Sequence, residues 1–333
     1  MATPIPELIG SPLPAISVIL PVLNEESHLE GAVLSVLSQD YRGPLEIILA
    51  LGPSRDRTNE IATKLASQDN RVKLLDSPTG KTAAGLNLAL AASKSPVVVR
   101  VDGHAQIPNN YISLIVEILN KTGAVNVGGV MAAVGTTAFE RAVAGAMRSP
   151  LGVGASRFHT GGEAGEVDTV YLGAFRREAL VAIGGFDERF TRAQDWELNF
   201  RLRENGGVIY FDPRLHVTYR PRSSVGALAK QYFEYGRWRR VVSRRHSGTI
   251  NYRYLAPPFA LLGFSASLVL GVLLSSIFFI PALVYLLFVV LASLKISTSI
   301  GEYLLLLLVI PTMHFAWGAG FISSPKTLVP ASQ

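Results

Sequence analysis

Asp102 and His104 stand one residue apart in "VVVRVDGHAQIP", residues 97 to 108. Val97–Val99 and Val101 suit a buried β-strand, so a strand end delivers a carboxylate and then an imidazole. In a regular strand the two side chains share a face, and at a strand end they could share one ligand. Carboxylate oxygen suits Mg²⁺ or Mn²⁺, and imidazole tilts the choice toward Mn²⁺ or another transition metal. Such an ion could bridge a diphosphate. From the pair alone, a turn carboxylate beside a surface histidine is the simpler reading. A second candidate is Asp195, which opens a predicted helix in "AQDWELNFRLRENG" with Glu197 two residues on. Two readings are open there: an acidic residue stabilised by the helix dipole, or a general base that takes a proton from an acceptor hydroxyl. "TGKT", residues 79 to 82, fails as a P-loop because Leu75 stands where the first glycine belongs. Lys81 reads equally as a phosphate contact or a surface lysine.

These residues need a frame, and the pattern from Ala15 supplies one. "AISVILPV", "LEIILAL", "VKLLD" and "PVVVRVD" read as strands, alternating with the helical "SHLEGAVLSVLSQ", "RTNEIATKLASQ", "KTAAGLNLALAAS" and "NNYISLIVEILNK". That order predicts a doubly wound α/β domain with a parallel sheet covered on both faces. Ligands of open α/β sheets bind beyond the carboxyl ends of the strands. The residues found there are Pro21, Asn24, Glu25 and Glu26, then Gly52, Pro53, Ser54 and Arg55, then Asp102 and His104. The second half is glycine-rich, which permits close backbone approach or mobility.

Of the 333 residues 49% are hydrophobic, and the excess lies at the C-terminus. A bilayer core needs about 20 apolar helical residues. The apolar stretch from Leu255 to Leu294 is therefore predicted to form two spans, near 256–275 and 278–294, with Ser275, Ser276 and Pro281 at the hairpin. A third span is predicted near 303–322. No polar face recurs at helical period, which argues against a soluble bundle. The first 15 residues have neither the basic start nor the apolar core of a secretory signal. Arg237, Arg239, Arg240, Arg244, Arg245 and Arg253 precede the first span, as a cytoplasmic flank should. The expectation is a multi-pass protein of the cytoplasmic membrane with its catalytic domain in the cytoplasm. An odd number of spans puts the C-terminal tail outside, which Lys326 mildly opposes.

The domain reading is a tail over 1–14, an α/β domain over 15–222, an amphipathic interfacial helix and basic segment over 223–254, spans over 255–322 and a tail over 323–333. The net charge of +6 comes with no aromatic and basic stripe, zinc-ligand set or helix-turn-helix pattern, so no nucleic-acid partner is expected. Anionic headgroups explain the arginines better. Zero cysteines exclude disulfides and thiolate metal sites. "QYFEYGRWRR", residues 231 to 240, reads as a helix resting at the lipid interface. A sharper reading adds a sugar or lipid phosphate, with Trp238 stacking and Arg237 pairing with charge.

The ordered set "SVILPVLNEESHLEGAVLSVLSQDY", "EIILALGPSRDRT", "GKTAAGLNLAL", "VRVDGHA", "GAFRREALVAIGGFDERF", "QDWELNFRLRENG" and "QYFEYGRWR" resembles the family 2 inverting glycosyltransferases, which have a GT-A fold. The resemblance covers roughly residues 15 to 240. With the apolar C-terminal segments it is most similar to the membrane-bound exopolysaccharide transferases of the succinoglycan type. It implies that Asp102 and His104 stand for the family's Asp-x-Asp pair, holding a divalent cation, Mn²⁺ or Mg²⁺, on the diphosphate of a nucleotide sugar. It makes Asp195 the catalytic base. Pro21, Asn24 and Glu25 match the nucleotide pocket, while Gly80, Lys81 and Asn87 border the nucleoside. Gly173 and Ala174 match the segment beside donor sugar and acceptor. Gln231, Arg237 and Trp238 resemble the interfacial Gln-x-x-Arg-Trp motif with longer spacing.

Where the family usually has two aspartates after the second strand, this chain has Leu51 and Gly52. Backbone, Ser54 or Arg55 must then contact the base, and the nucleotide is open, a UDP-sugar first and a GDP-sugar second. The expected function is transfer of a sugar to a lipid-linked glycan or polyprenyl phosphate in polysaccharide or envelope-glycan synthesis. The alternative is a catalytically inactive membrane protein of the same fold that binds nucleotide sugar or scaffolds a glycan-assembly complex. A small-solute transporter does not fit, because about three-quarters of the chain precedes the spans.

Overall fold

The structure is a computed structural model that describes residues 13–329. The sequence readings of the N-terminal tail fall largely outside those residues, as do the last four residues of the C-terminal tail. The described residues form two compact units: residues up to Ala132 with Gly161–Tyr219, and Ala133–Thr160 with Arg220 onward.

The first unit is built on a sheet ordered β3-β2-β1-β4-β7-β5-β8-β6. Strands β1 (Ile16–Val22), β2 (Leu45–Leu51), β3 (Val72–Asp76) and β4 (Val97–Arg100) are connected by helices α1 (Leu29–Leu37), α2 (Thr58–Gln68) and α3 (Thr82–Ala92). These four strands run parallel, as the alternation predicts. Alternate residues feed two buried cores. Ile16, Val18 and Leu20 pack with α1 and with α4 (Tyr111–Thr122), while Ile19, Ile48 and Val98 pack with α3. Strands β1 and β4 are buried on both faces, which is why they read as near-continuous apolar runs.

The chain then leaves the regular pattern. Strand β5 (Asn126–Ala133) carries Gly128 and Gly129, and a Cβ on Gly129 would stand 1.7 Å from the Leu215 carbonyl oxygen. Close backbone approach, the first of the two uses expected of these glycines, is what the structure shows. After α5 (Ala138–Met147) and the short α6 (Pro150–Val153) and α7 (Arg157–Thr160) come β6 (Gly165–Glu166), β7 (Ala174–Arg176), α8 (Arg177–Ala182), α9 (Gln194–Glu204) and β8 (Ile209–Tyr219). Strand β7 lies antiparallel to both β4 and β5.

In the second unit Ala133–Thr160 groups with the C-terminal helices. Specific contacts tie it there. Arg141 pairs with Glu302 at 3.2 Å, and Arg253 donates to the Ala155 carbonyl at 3.0 Å. The remaining helices are α10 (Val225–Arg245), α11 (Tyr252–Leu273), α12 (Ile280–Ile296) and α13 (Ile300–Ser323). Three stretches, Tyr252–Leu273, Ser276–Ile296 and Ile300–Ser323, are helical, long and apolar enough to cross a membrane. The turn between the first two holds Ser275 and Ser276, with Pro281 in the first turn of α12, where its missing N–H costs no helical bond.

Helix α10, predicted to rest on a lipid interface, packs closely against α13. A Cβ on Gly236 would stand 2.0 Å from the Trp317 carbonyl oxygen, and one on Gly320 2.0 Å from that of Phe233. Backbone fills both places, so neither helix can give way by a rotamer change. Gly236→Val or Gly320→Val should therefore lower stability by about 1–3 kcal/mol, the usual cost of overpacking. Thermal unfolding of the full chain in detergent measures this, and unchanged midpoints would refute the close crossing.

Candidate active site

An arginine that the sequence reading passed over organises the site. Arg100 ends β4 within a run of valines, is 5% exposed, and donates from Nε to Asp102 Oδ1 at 3.0 Å. Its other branch, Nη1, bonds to Asp195 Oδ1. A buried cation needs partners, and a charged residue inside an otherwise apolar strand was the signal that could have found it. One guanidinium thus holds together two carboxylates 93 positions apart in the chain, Asp102 and Asp195. Burial opposes the charge on Arg100, but the two carboxylates outweigh it and keep the guanidinium firmly protonated.

Asp195 lies in the first turn of α9, deep in the protein yet with 26% of its side chain still reached by solvent. Burial pushes its carboxyl up, Arg100 pulls it down, Asp102 pushes it up and the Leu172 N–H pulls it down, leaving it at about 6. A carboxylate tuned toward neutral pH can take a proton and still be ionised under ordinary conditions.

The loops around this pair hold unusual backbone. Among the described residues the non-glycine positions with left-handed φ are Asn24 (55°), Leu172 (60°) and Ala193 (58°). Ala193 precedes α9 directly, and Leu172 supplies the N–H to Asp195. Gly173, at φ 93°, accepts from the Arg100 N–H at 3.0 Å through its carbonyl. Ala174 follows in β7, buried and in register with Val99. Such strained positions persist where surrounding structure over-determines them, commonly at functional sites.

Asp102 and His104 do not alternate along a strand. They fall in a turn closed by Ala105 N–H to the Asp102 carbonyl at 2.9 Å. His104 Nδ1 pairs with Glu25 Oε1 at 2.8 Å, and Glu25 lies over Gly103, so the β1 loop meets this turn. The expected nucleotide residues lace the β1 and β2 loops together. Asn24 N–H donates to Ser54 Oγ at 3.1 Å, and Arg55 N–H donates to Asn24 Oδ1 at 2.8 Å. Glu25 N–H donates to Thr58 Oγ1 at 2.7 Å. Pro21 is the β1 residue in register with Ala50. Gly80, at φ 60°, closes on Gly52: a Cβ on Gly52 would stand 3.0 Å from Leu23 and 3.1 Å from the Gly80 Cα. The place of the family's usual aspartate is therefore narrowed by backbone.

Other expected residues have different occupations. Asn87 donates to the Phe186 carbonyl and accepts from its N–H, both at 2.8 Å, fixing the loop before α9. Lys81 is exposed at the N-cap of α3. Glu197 is buried against Arg201. Gln231, Arg237 and Trp238 belong to the second unit. There Gln231 bonds to Tyr235 at 2.9 Å, Arg237 pairs with Glu234 at 2.8 Å, and Trp238 is buried at 5% exposure. Trp238 offers no open face for stacking.

A profile described as "Glycosyl transferase family 2" matches residues 17–184. The chain belongs to glycosyl transferase family 2. This family 2 transferase is 34% identical over 242 residues to the "Succinoglycan biosynthesis protein ExoA" of Rhizobium meliloti (strain 1021), covering 72% of this chain and 73% of that protein. It is 25% identical over 281 residues to the "Dolichyl N-acetyl-alpha-D-glucosaminyl phosphate 3-beta-D-2,3-diacetamido-2,3-dideoxy-beta-D-glucuronosyltransferase" of Methanococcus voltae, covering 81% of this chain and 85% of that one. Among solved structures, the mannosyltransferase PcManGT from Pyrobaculum calidifontis in complex with GDP-Man and Mn²⁺ aligns with a TM-score of 0.60 at 18% identity, over 95% of this chain and 88% of that one. S. aureus TarS 1-349 in complex with UDP-GlcNAc aligns at 0.51 and 16% identity, over 85% and 82%. The α/β unit of this glycosyltransferase has the GT-A type of fold that the sequence predicts.

Among the described residues no group of three or more His, Asp or Glu could hold a metal alone. A Mg²⁺ or Mn²⁺ that shares its shell with substrate phosphates needs only one or two protein carboxylates. Asp102 fits that demand: Oδ1 accepts from Arg100, Oδ2 has no partner among the described residues, and the side chain is 19% exposed. His104 is the imidazole of the same turn.

Arg100→Met, which keeps length and removes charge, leaves two carboxylates facing each other without compensation. Loss of one partner from a buried pair typically costs about 3–5 kcal/mol. Chemical denaturation should show a loss of that order, and a variant as stable as wild type would refute the bridging role.

Proposed function

We propose that this family 2 enzyme is a membrane-bound inverting transferase that moves a sugar from a nucleoside diphosphate donor to a lipid-linked acceptor. The observation that carries the reading is Asp195 held beside Asp102 by Arg100. Asp195 receives the proton of the acceptor hydroxyl. The oxygen then attacks the anomeric carbon, whose bond to the diphosphate oxygen breaks on the opposite face, and the electron pair leaves with the nucleoside diphosphate. Arg100 fixes the Asp195 carboxylate in place and keeps it from protonating too early. Asp102, with His104, would hold the divalent ion on the diphosphate. When bound, that ion supplies positive charge to the leaving group. The proteins in complex with GDP-Man and UDP-GlcNAc support a nucleotide-sugar donor.

The choice of base rests on the loops. With Gly52 enclosed, no carboxylate at that position reads the nucleobase, and recognition passes to the Ser54–Arg55 backbone and to the apolar shelf of Leu23 and Pro53. That arrangement admits uridine or guanosine, the UDP-sugar being the first expectation. The three apolar helices support a lipid-linked acceptor, since a catalyst confined to a membrane meets a membrane-confined substrate at high effective concentration.

Nucleoside diphosphate release from a panel of nucleotide sugars, with membrane lipid extract and Mn²⁺, Mg²⁺ or chelator, tests the reading. Asp195→Asn should lose about 10²–10⁴-fold in turnover with donor binding nearly intact. Wild-type turnover in that variant would remove Asp195 as the base. A base works ionised, so with Asp195 at about 6 the activity should be full above that pH and fall as pH drops through it. A pH profile of kcat/KM that stays flat from pH 8 to about pH 5 would contradict this assignment.

A further inference from the structure

Helices α10, α11 and α13 of the second unit enclose a cavity of about 270 Å³ with a lining of two kinds. Arg240 and Arg244 come from α10, and Leu255, Phe259, Leu262 and Ile322 come from the two apolar helices. The arginines sit at a helix end. Arg244 donates to the carbonyls of Ser324 at 2.8 Å and Pro325 at 3.1 Å, just past α13, while Arg240 lies over the Phe321 ring at 5.0 Å. There α13 closes on the start of α11, since a Cβ on Gly318 would stand 2.7 Å from the Pro257 carbonyl oxygen.

Among the described residues no carboxylate balances either residue, and Arg244 meets only the two carbonyls. Arg237, one turn earlier, has Glu234, whereas neither Arg240 nor Arg244 has a carboxylate partner among the described residues. Burial and then the neighbouring Arg240 both lower the pKa of Arg244, which stays protonated. Two guanidiniums one helical turn apart without an acid form a positively charged place for an anion such as phosphate, with the Arg240 guanidinium carrying no polar partner among the described residues. Away from the arginines the surface turns apolar and open. Phe259 is 68% exposed, Leu262 54% and Ile322 48%, all on helices long and apolar enough to cross a bilayer.

We propose that this cavity binds an anionic phospholipid of the bilayer, its phosphate between Arg240 and Arg244 and the start of its hydrocarbon against Leu255, Phe259, Leu262 and Ile322. A free phosphate would leave the apolar wall unused, and a zwitterionic headgroup would bring a second cation toward two arginines. The tail continues along helix surface that only hydrocarbon covers well. The assignment differs from the reading of Arg237 and Trp238 as the phosphate and stacking residues, because Arg237 is paired and Trp238 is buried. It rests on the membrane reading of α11 to α13, whose failure shows separately as recovery of the full chain in the soluble fraction.

The test is native mass spectrometry of the full chain in detergent, titrated with phosphatidylglycerol, phosphatidylcholine, polyprenyl phosphate or inorganic phosphate. Wild type should retain phosphatidylglycerol over phosphatidylcholine. The double variant Arg240→Gln with Arg244→Gln should bind it roughly thirtyfold more weakly, each arginine near an anionic surface contributing about fivefold. Arg245→Gln, outside the cavity, should match wild type, and the Arg240→Lys, Arg244→Lys pair should retain most binding if the double glutamine variant fails to fold. Equal retention by wild type and the glutamine variant would overturn the proposal. So would displacement by inorganic phosphate alone, or a preference for polyprenyl phosphate, which would make the cavity an acceptor site.

Discussion

The buried guanidinium of Arg100 is the constraint on which the first unit's chemistry depends. A cation that far from water is tolerable only with anions at fixed positions, and Asp102 and Asp195 are those anions. The demand runs in both directions. The carboxylates hold the arginine charged, and the arginine prevents two nearby acids, one of them raised to about 6, from sharing a proton. The strand end, the turn after it and the start of α9 are locked to one another through a single side chain.

That lock explains why strain collects where it does. Leu172 and Ala193 take left-handed backbone so that one can present its N–H to Asp195 and the other can start α9 in the right place. Asn24 does so where the β1 loop is stitched to the β2 loop through Ser54 and Arg55. Each position costs of order 1–3 kcal/mol in isolation. The hydrogen bonds around them offset that cost.

The second unit follows a different physics. Helices α11, α12 and α13 are apolar on most faces, so what distinguishes one neighbour from another is how closely backbones can approach. Gly236 and Gly320 give α10 and α13 that approach, and Gly318 gives it to α11 and α13. The basic residues of α10 are then sorted by packing. Arg239 lies over the Tyr254 ring, Arg237 meets Glu234, and Arg240 and Arg244 border a partly apolar cavity.

The sequence by itself determined the strand and helix order of the α/β half, the three apolar helices and Asp102 and Asp195 as the acids to watch. The elements are written in local periodicity and run length, and the two acids in residue type at a strand end and a helix start, while the roles expected of those acids came from the family resemblance. Tertiary structure alone decided that Arg100 joins the two acids, that His104 pairs with Glu25, that Asn87 secures the Phe186 loop and that Trp238 is buried. It also decided that Ala133–Thr160 groups with the C-terminal helices. The reason is that an ion pair, a buried ring or a close backbone crossing depends on separations in space between residues far apart in the chain, and only the folded arrangement of the elements sets them.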